Sequence, residues 1–199
     1  MIIRQEKNAI QISTNTDSKR FTRTLLTCHQ PTTAGGTGLP PAFLLAFKAA
    51  RPTHCTGMTR ELITESPDDT LALGVALGRE AAAGDVFALI GGLGTGKTLL
   101  TKGIAHGLEV PDEITSPSFT LMEIYEGGRL TLYHFDLYRL NGPDELDNLL
   151  FEEYWENNGV SVIEWAERAG NRLPKRHTRV TLTRLDPNRR RIAIEYIGH

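Results

Sequence analysis

Cysteine is nearly absent from this chain, and so is any long apolar run. The 199 residues include only Cys28 and Cys55, both in the N-terminal part. A disulfide framework is therefore not available to the rest of the chain, and no cysteine and histidine cluster has zinc-site spacing. No apolar run approaches the roughly 20 residues that span a membrane. These absences exclude a disulfide-rich scaffold, a zinc module and a membrane-spanning protein, and we expect a cytoplasmic protein without a membrane partner.

A large net charge is also missing, but the charges are unevenly distributed. Residues 1–57 hold seven basic and two acidic residues, a net charge of +5, which leaves −7 for residues 58–199 out of the total of −2. An acidic body argues against a domain that grips a nucleic-acid backbone unaided. Residues 1–57 also lack a sustained helical or strand period. We predict that residues 1–57 are a disordered or non-native extension and that residues 58–199 form one folded domain.

The strongest motif is Gly91-Gly92-Leu93-Gly94-Thr95-Gly96-Lys97-Thr98, which matches the phosphate-binding pattern G-x-x-x-x-G-K-T. A buried-type apolar run precedes it and a helix-compatible run follows it, which is the junction where such a loop works. Glycines let backbone N–H groups surround an anion, and the helix N-terminus adds further donors. Lys97 is predicted to reach the β- and γ-phosphates, and the Thr98 hydroxyl is predicted to hold Mg²⁺. The predicted nucleotide ligands are Gly91, Leu93, Gly94, Thr95, Gly96, Lys97 and Thr98.

Strand-like and helix-like segments alternate around this loop. Ser66, Pro67 and Asp69 have the spacing of a capped helix start, and Glu126-Gly127-Gly128 is typical of a hairpin turn. This alternation predicts an α/β fold, a three-layer P-loop sandwich with a central, largely parallel sheet and added antiparallel hairpins. Strands are predicted at 61–64, 86–90, 119–125, 130–135, 160–163, 180–183 and 192–194, and helices at 67–83, 97–106 and 143–157.

Two carboxylates are predicted to complete the site. Asp136 and Glu164 each follow an apolar strand, so both should emerge at the sheet edge where the loop lies. A P-loop needs an acidic partner to orient Mg²⁺, and often a group that positions the attacking nucleophile. From the residues alone, either carboxylate could instead cap a loop.

Other polar residues near these strands allow two interpretations each. The hydroxyls of Ser116, Ser118 and Thr120 are candidate sensors of the γ-phosphate, or simply part of a turn. His134 is expected to pack or to form a hydrogen bond rather than to act as a base. Trp165 either reports on the site or packs. Residues 189–191, three consecutive arginines, are either a phosphate or RNA contact or a solvated face.

Four segments together resemble the bacterial TsaE family, also called YjeE. They are G-G-L-G-T-G-K-T, then S-P-S-F-T-L, then H-F-D-L-Y-R-L, then I-E-W-A-E-R, and the resemblance extends over roughly residues 60–196. The resemblance implies a weak P-loop ATPase that uses ATP and Mg²⁺ in the biosynthesis of N6-threonylcarbamoyladenosine at tRNA position 37. It implies partners of the TsaB and TsaD type, through which tRNA is met indirectly.

The resemblance also implies roles for individual residues. Thr98 and Glu164 would serve the metal ion, while Asp136 would lie near the γ-phosphate with a catalytic role. Ser116, Ser118 and Thr120 would belong to a switch-like loop. The predicted catalytic residues are therefore Asp136, Glu164 and Lys97, and Asp136 joins the nucleotide ligands.

Three alternatives stay open from the residues alone. A small-molecule or nucleotide kinase needs a lid, and only the cluster of Arg168, Arg172, Lys175 and Arg176 is available after Glu164. A GTPase switch is disfavoured because neither D-x-x-G nor N-K-x-D follows the loop. A pure binding module would hold its nucleotide structurally.

Overall fold

The structure is a computed structural model, and it describes residues 9–15, 22–27, 59–149, 151–155 and 158–199. Within these residues the strands are β1 Ala9–Asn15, β2 Thr22–Thr27, β3 Thr59–Thr64, β4 Val86–Ile90, β5 Met122–Tyr125, β6 Leu132–Asp136, β7 Val160–Glu164, β8 His177–Arg184 and β9 Arg190–Ile197. The α-helices are α1 Pro67–Glu80, α2 Lys97–Gly107 and the short α3 Glu152–Trp155, and 3-10 helices lie at Pro143–Asn148 and Ala166–Arg172.

All of these strands join one sheet in the order β2-β1-β3-β9-β8-β4-β7-β6-β5. The four strands around the loop, β8, β4, β7 and β6, run parallel to one another. The strands on either side pair antiparallel, including the hairpins β5–β6 and β8–β9. The predicted α/β sandwich with a parallel centre and antiparallel additions is therefore confirmed.

The sheet separates two apolar cores, because successive strand residues face opposite sides. In β4, Phe87 and Leu89 pack into the core that includes residues of α1 and α2. Val86 and Ala88 pack into the core on the other face, which includes Trp155 of α3. Helical segments cover both faces of the sheet, and this gives the three layers. None of the helices in the described part of the chain is long and apolar enough to cross a membrane.

Helices α1 and α2 pack closely because glycines face each other at their contact. A Cβ atom added at Gly74 would lie 2.4 Å from the Leu100 carbonyl oxygen, and one at Gly78 would lie 2.1 Å from the Ile104 carbonyl oxygen. These distances are far below any normal contact between a Cβ atom and an oxygen atom. Any side chain at these positions would force α1 away from α2, the helix that follows the loop.

The predicted start of α1 is confirmed, with one difference in its hydrogen bonds. Ser66 accepts a hydrogen bond from the Asp69 amide at 3.1 Å, and Pro67 occupies the first helical turn. The Asp69 carboxylate accepts from the amide of Glu65 rather than from that of Ser66, at 3.0 Å. In the usual capping box the carboxylate accepts from the amide of the cap residue itself, whereas here it accepts from the amide one residue earlier in the chain.

Two predictions of secondary structure were wrong in detail. Residues 143–157 do not form one helix, because a 3-10 helix at Pro143–Asn148 precedes the separate, four-residue α3. Leu146 of the 3-10 helix and Trp155 of α3 are both buried, so each piece still packs an apolar side chain although the helix is interrupted. The strand predicted from residue 119 begins only at Met122, and Phe119 is exposed.

The N-terminal part carries two strands where the sequence indicated no regular element. Strand β1 pairs antiparallel with β2 and with β3, for example Ser13 opposite Glu61. Residues 1–8, 16–21 and 28–58, which include both cysteines, lie outside the described residues. The division into residues 1–57 and 58–199 stays a prediction.

Candidate functional site

The loop between β4 and α2 needs its glycines for steric reasons. Gly94 and Gly96 have φ angles of +72° and +101°, and Gly91 has φ +152°. A Cβ atom at Gly91 would lie 2.6 Å from the Leu182 carbonyl oxygen of β8. Residues with a side chain adopt positive φ at a cost, so this course of the backbone follows from the sequence.

The loop leaves open space beside two of its glycines. Hypothetical Cβ atoms at Gly92 and Gly94 would have no neighbouring atom within 4 Å. Helix α2 starts at Lys97 with Gly96 as its cap residue, so no side chain satisfies its first amides. Leu93 is 81% exposed at the loop tip. A helix start without a side-chain cap, beside open space, is the arrangement that binds phosphate groups.

The Lys97 side chain is hydrogen-bonded to the first residues of this loop. Its Nζ donates to the carbonyl oxygens of Gly91 at 2.6 Å and Gly92 at 2.9 Å. The same ammonium group is 3.8 Å from the centroid of the Trp165 ring. Burial lowers the pKa of Lys97, while the nearby Glu164 carboxylate acts in the opposite direction. The ammonium group is thus held at the loop by carbonyl oxygens and an aromatic face.

Glu164 lies at the end of β7 and receives three side-chain hydrogen bonds. Thr98 donates to Oε2 at 3.0 Å, Thr101 lies 3.3 Å from Oε1, and His134 Nε2 lies 2.9 Å from Oε1. Glu164, Thr101 and His134 are all buried. His134 Nδ1 is buried without a hydrogen-bond partner. The carboxylate therefore fixes the proton of a neutral ring on Nε2, because a protonated Nδ1 would leave a buried donor unpaired.

The two predicted carboxylates are neighbours because of the strand register. Asp136 of β6 stands opposite Glu164 of β7 in the parallel ladder. His134 precedes Asp136 by two residues, so both side chains face the same side of the sheet. Leu132, two residues earlier still, packs into the core that includes residues of α2. All three polar side chains therefore face the helix that begins at the loop.

Asp136 is bound by a different set of groups. Its Oδ2 accepts hydrogen bonds from Ser116 Oγ at 2.6 Å and Ser118 Oγ at 2.5 Å. Its Oδ1 accepts from the backbone amide of Tyr138 at 2.9 Å. The carboxylate is buried, whereas Ser116 is exposed on the loop before β5. Thr120 is also exposed and makes no hydrogen bond to Asp136, so the structure brings only two of the three predicted hydroxyls to this carboxylate.

Hard oxygen ligands for a divalent cation are present beside the loop. Within the described residues, no group of three or more His, Cys, Asp or Glu side chains is arranged to hold a metal ion. Mg²⁺ needs no such cage, because it commonly takes one or two protein oxygens and completes its shell with phosphate oxygens and water. The Thr98 hydroxyl and the Glu164 carboxylate lie 3.0 Å apart and fit this requirement.

The predicted loop ligands differ in how they contribute. The loop and the first turn of α2 contain five of them: Gly91, Gly94, Gly96, Lys97 and Thr98. Thr95 braces the loop from within, because its hydroxyl donates to the Gly92 carbonyl oxygen at 2.9 Å. The Leu93 side chain faces solvent, so only its backbone is available to a ligand.

The structure brings three further residues to the site: Thr101, which sequence reasoning did not name; His134, for which the expected hydrogen bond is confirmed; and Arg190, one of the three arginines left with two interpretations. His134 contacts Glu164, and its two-residue spacing from Asp136 was a usable signal. Thr101 follows Thr98 by three residues on α2, which places both on one helical face. Arg190 reaches the loop from the β8–β9 hairpin, donating to the Thr95 carbonyl oxygen at 2.9 Å. Sequence gave no reason to choose Arg190 among three consecutive arginines.

An aromatic and cationic stack lies against Lys97 at the site. The rings of Tyr138 and Trp165 lie 5.0 Å apart, and the Arg168 guanidinium is 5.8 Å from each ring centroid. Arg168 also donates to the Leu140 carbonyl oxygen. Trp165 therefore packs and contacts the site through Lys97, so both interpretations of this residue hold. Arg168 is engaged within the fold, although the lid of a kinase was one interpretation of its cluster.

Comparisons with known proteins agree with this arrangement. A family model described as "Threonylcarbamoyl adenosine biosynthesis protein TsaE" matches residues 64–192. The tRNA threonylcarbamoyladenosine biosynthesis protein TsaE of Treponema pallidum is 41% identical over 132 residues, which are 66% of this chain and 97% of the relative. The TsaE protein of Bacillus subtilis is 37% identical over 136 residues, 68% of this chain and 85% of the relative.

Structural similarity gives the same answer. The crystal structure of YdiB from Bacillus subtilis superposes with a TM-score of 0.62 at 32% identity, over 73% of this chain and 90% of that one. The family match extends from the end of β3 into β9 and so includes the loop, Asp136 and Glu164. This chain therefore belongs to the TsaE family.

Proposed function

We propose that the protein binds ATP and Mg²⁺ at the loop Gly91–Thr98 and hydrolyses ATP to ADP and phosphate. We propose further that this reaction supports the formation of N6-threonylcarbamoyladenosine at position 37 of tRNA. The observation that supports the ATPase proposal best is the Thr98–Glu164 contact beside an open, glycine-lined helix start. Membership in the TsaE family supports the pathway.

Phosphate binding is assigned to the loop amides and Lys97. The ammonium group is bound to the carbonyl oxygens of Gly91 and Gly92, and phosphate oxygens would replace these acceptors. A cation beside backbone donors compensates the negative charge of the β- and γ-phosphates. This assignment predicts that triphosphate binding depends strongly on Lys97.

Mg²⁺ would be held by the Thr98 hydroxyl and Glu164, the latter directly or through water. When bound, Mg²⁺ neutralises charge that develops on the phosphate oxygens. Thr101 and His134 both bind Oε1 of Glu164, which leaves Oε2 directed toward Thr98. These two residues would fix the orientation of the carboxylate before the metal ion arrives.

Asp136 would orient the attacking water and accept its proton. It lies beside Glu164 in the register, and its Oδ2 already accepts hydrogen bonds from hydroxyl groups. For Oδ2 to bind water, Ser116 or Ser118 must release it. Ser116 is exposed and both serines precede β5, so their loop can respond to the γ-phosphate.

The role in tRNA modification is proposed to involve partner proteins of the TsaB and TsaD type. Residues 58–199 carry a net charge of −7, which disfavours direct binding to the tRNA backbone. We therefore propose an accessory ATPase, weak alone and stimulated by its partners, that meets tRNA indirectly. A role in tRNA modification implies a cytoplasmic protein.

The test measures ATP hydrolysis by the full chain with Mg²⁺, with and without a TsaB–TsaD-type partner complex. We expect slow hydrolysis alone and a rise of at least about tenfold with the partners, since many P-loop enzymes need a partner to complete the site. Lys97→Ala should abolish ATP binding, and Glu164→Ala should weaken the Mg²⁺ dependence. Lys102→Ala is the matched control, because Lys102 lies on the same helix and makes only a 4.0 Å contact with the exposed Glu113.

Three outcomes would contradict the proposal. Phosphoryl transfer from ATP to a free metabolite would indicate a kinase instead. GTP bound more tightly than ATP would revive the GTPase interpretation. Full partner-stimulated hydrolysis by both Lys97→Ala and Glu164→Ala would show that the site lies elsewhere.

A further inference from the structure

Arg190 joins the C-terminal hairpin to the phosphate-binding loop. It is the first residue of β9, and its Nε donates to the Thr95 carbonyl oxygen at 2.9 Å. Its two terminal nitrogens donate to carbonyl oxygens of the turn before β9, including Asp186 at 2.9 Å and Pro187 at 3.3 Å. One guanidinium group thus holds the loop and the turn at a fixed separation.

The hydrogen bond from Arg190 to the Thr95 carbonyl oxygen acts on the peptide group between Thr95 and Gly96. The described residues contain no cis peptide bond, so the carbonyl of Thr95 and the N–H of Gly96 point in opposite directions. Fixing the oxygen on the hairpin side therefore directs the N–H away from the hairpin. A cationic donor on the oxygen also polarises the same peptide group, which makes its N–H a stronger donor.

The loop needs such a constraint because glycines flank this peptide group. Gly94 and Gly96 can adopt many backbone conformations, so the peptide plane between Thr95 and Gly96 gains from a direct restraint. The Thr95 hydroxyl ties Thr95 to Gly92 in the first half of the loop, but it does not bind the Thr95–Gly96 peptide group. Lys97 bonds to Gly91 and Gly92, also in the first half. Arg190 is thus a side chain whose hydrogen bond acts directly on the Thr95–Gly96 peptide group, next to the start of α2.

We propose that Arg190 is a positioning residue that orients the Gly96 amide of the loop for nucleotide phosphate. This inference deepens the proposed function and rests on it. Arg190 acts through the loop rather than by touching phosphate, because its nitrogens already donate to backbone carbonyls. The amide would bind phosphate equally in the ground state and the transition state, so its loss should weaken binding and leave turnover unchanged.

Arg189 provides a matched control in the same turn. Its Nε donates to the Asp186 carboxylate at 2.6 Å and lies 3.9 Å from Glu65. The side chain is 49% exposed, and its hydrogen bond and ion pairs go to Asp186 and Glu65 rather than to the loop. Removing either arginine changes the charge near the site by the same amount, and only one change removes the hydrogen bond to Thr95.

The experiment compares Arg190→Gln, Arg190→Lys and Arg189→Gln with the unmodified full chain. The dissociation constant for ATP with Mg²⁺ is measured directly, kcat is measured at saturating ATP, and unfolding is followed without nucleotide. Arg190→Gln should raise the dissociation constant about tenfold, the order of one charge-assisted hydrogen bond, with kcat within about twofold. Arg190→Lys should remain at least about threefold weaker, since an ammonium group cannot replace the planar fork. Arg189→Gln should bind ATP normally.

Each other outcome has a distinct meaning. Equal weakening in Arg189→Gln, or full recovery in Arg190→Lys, would show that positive charge alone matters and would overturn the inference. Unchanged ATP binding by Arg190→Gln would overturn it as well. A lower kcat with unchanged binding would assign Arg190 to the chemical step instead. No ATP binding by the unmodified chain would overturn the proposed function and, with it, this inference.

Discussion

Glu164 and Asp136 stand side by side at the ends of two parallel strands, yet their surroundings differ. The partners of Glu164 are Thr98 and Thr101 of helix α2 and His134 of strand β6, which are parts of regular elements. The partners of Asp136 are two serines of an irregular loop and one backbone amide. One carboxylate is held by residues of regular elements, and the other is bound mainly by residues of an irregular loop.

This difference suits two different tasks. A carboxylate that orients a metal ion gains from being fixed before the ligand arrives, because no reorganisation is then needed during the reaction. A carboxylate that must become available only when ATP is bound gains from a removable cover. The comparison therefore predicts that changes at Glu164 disturb the fold, whereas changes at Asp136 and its serines disturb turnover.

The largest expected effect on stability is that of Glu164→Ala. Its loss leaves the buried His134 Nε2 without its acceptor, and a buried unpaired donor is costly, whereas Thr101 keeps its 3.1 Å hydrogen bond to the Lys97 carbonyl oxygen. We expect the free energy of unfolding to fall by about 3 kcal/mol, measured by chemical denaturation without nucleotide. Asp136→Ala is the control and should cost under about 1 kcal/mol, since the exposed Ser116 can bind water instead. Equal losses in the two variants would remove the proposed distinction.

The second largest expected effect is a fall in kcat for ATP hydrolysis in Asp136→Asn. Asp136→Asn keeps the size of the side chain and its carbonyl acceptor but removes the negative charge that accepts a proton. We expect kcat for ATP to fall about 100-fold with the dissociation constant for ATP within about threefold, the order typical of a general base. Partner-stimulated hydrolysis by the full chain gives kcat, and equilibrium titration gives the binding constant. A kcat near that of the unmodified chain would exclude Asp136 as the proton acceptor.

A smaller loss of stability should follow Gly78→Ala. This variant tests whether the close packing of α1 on α2 stabilises the helix that carries Thr98 and Thr101, two partners of Glu164. The added methyl group would collide with the Ile104 carbonyl oxygen of α2, 2.1 Å away, and the two helices would have to separate. Overpacking of this kind costs about 1–3 kcal/mol, to be measured as a shift in the denaturation midpoint. Gly92→Ala is the control, because its added carbon meets nothing within 4 Å. No shift for Gly78→Ala would mean that the helices adjust freely.

Much of the architecture was predictable because local signals agreed with the fold. The Ser66 cap, the glycine-rich loop, the hairpin turn at Gly127 and the strand-end positions of Asp136 and Glu164 are each determined by neighbours in the sequence. The break in the helix predicted for residues 143–157 was not predictable, since its apolar spacing continues through both pieces.

The site contacts of His134 and Arg190 depend on tertiary structure. The pairing of His134 with Glu164 requires the register between β6 and β7, which joins residues 30 positions apart. The contact between Arg190 and Thr95 spans 95 positions and depends on β8 lying beside β4. No local pattern distinguishes Arg190 from Arg189, although only Arg190 reaches the loop. Sequence thus predicts where the carboxylates emerge, but it does not predict which side chains hold them.

The smallest expected effects are those of Ser116→Ala and Ser118→Ala, which test the removable cover. Both hydroxyls bind the same oxygen of Asp136 and lie 2.9 Å from each other, so either one alone can still cover it. We expect each single variant to change kcat less than about threefold and the double variant to change it more than the product of the two, as for residues that share one partner. Thr120→Val is the control, because Thr120 makes no hydrogen bond to Asp136. If the double variant matched the product of the single effects, the two serines would act independently and would not form one cover.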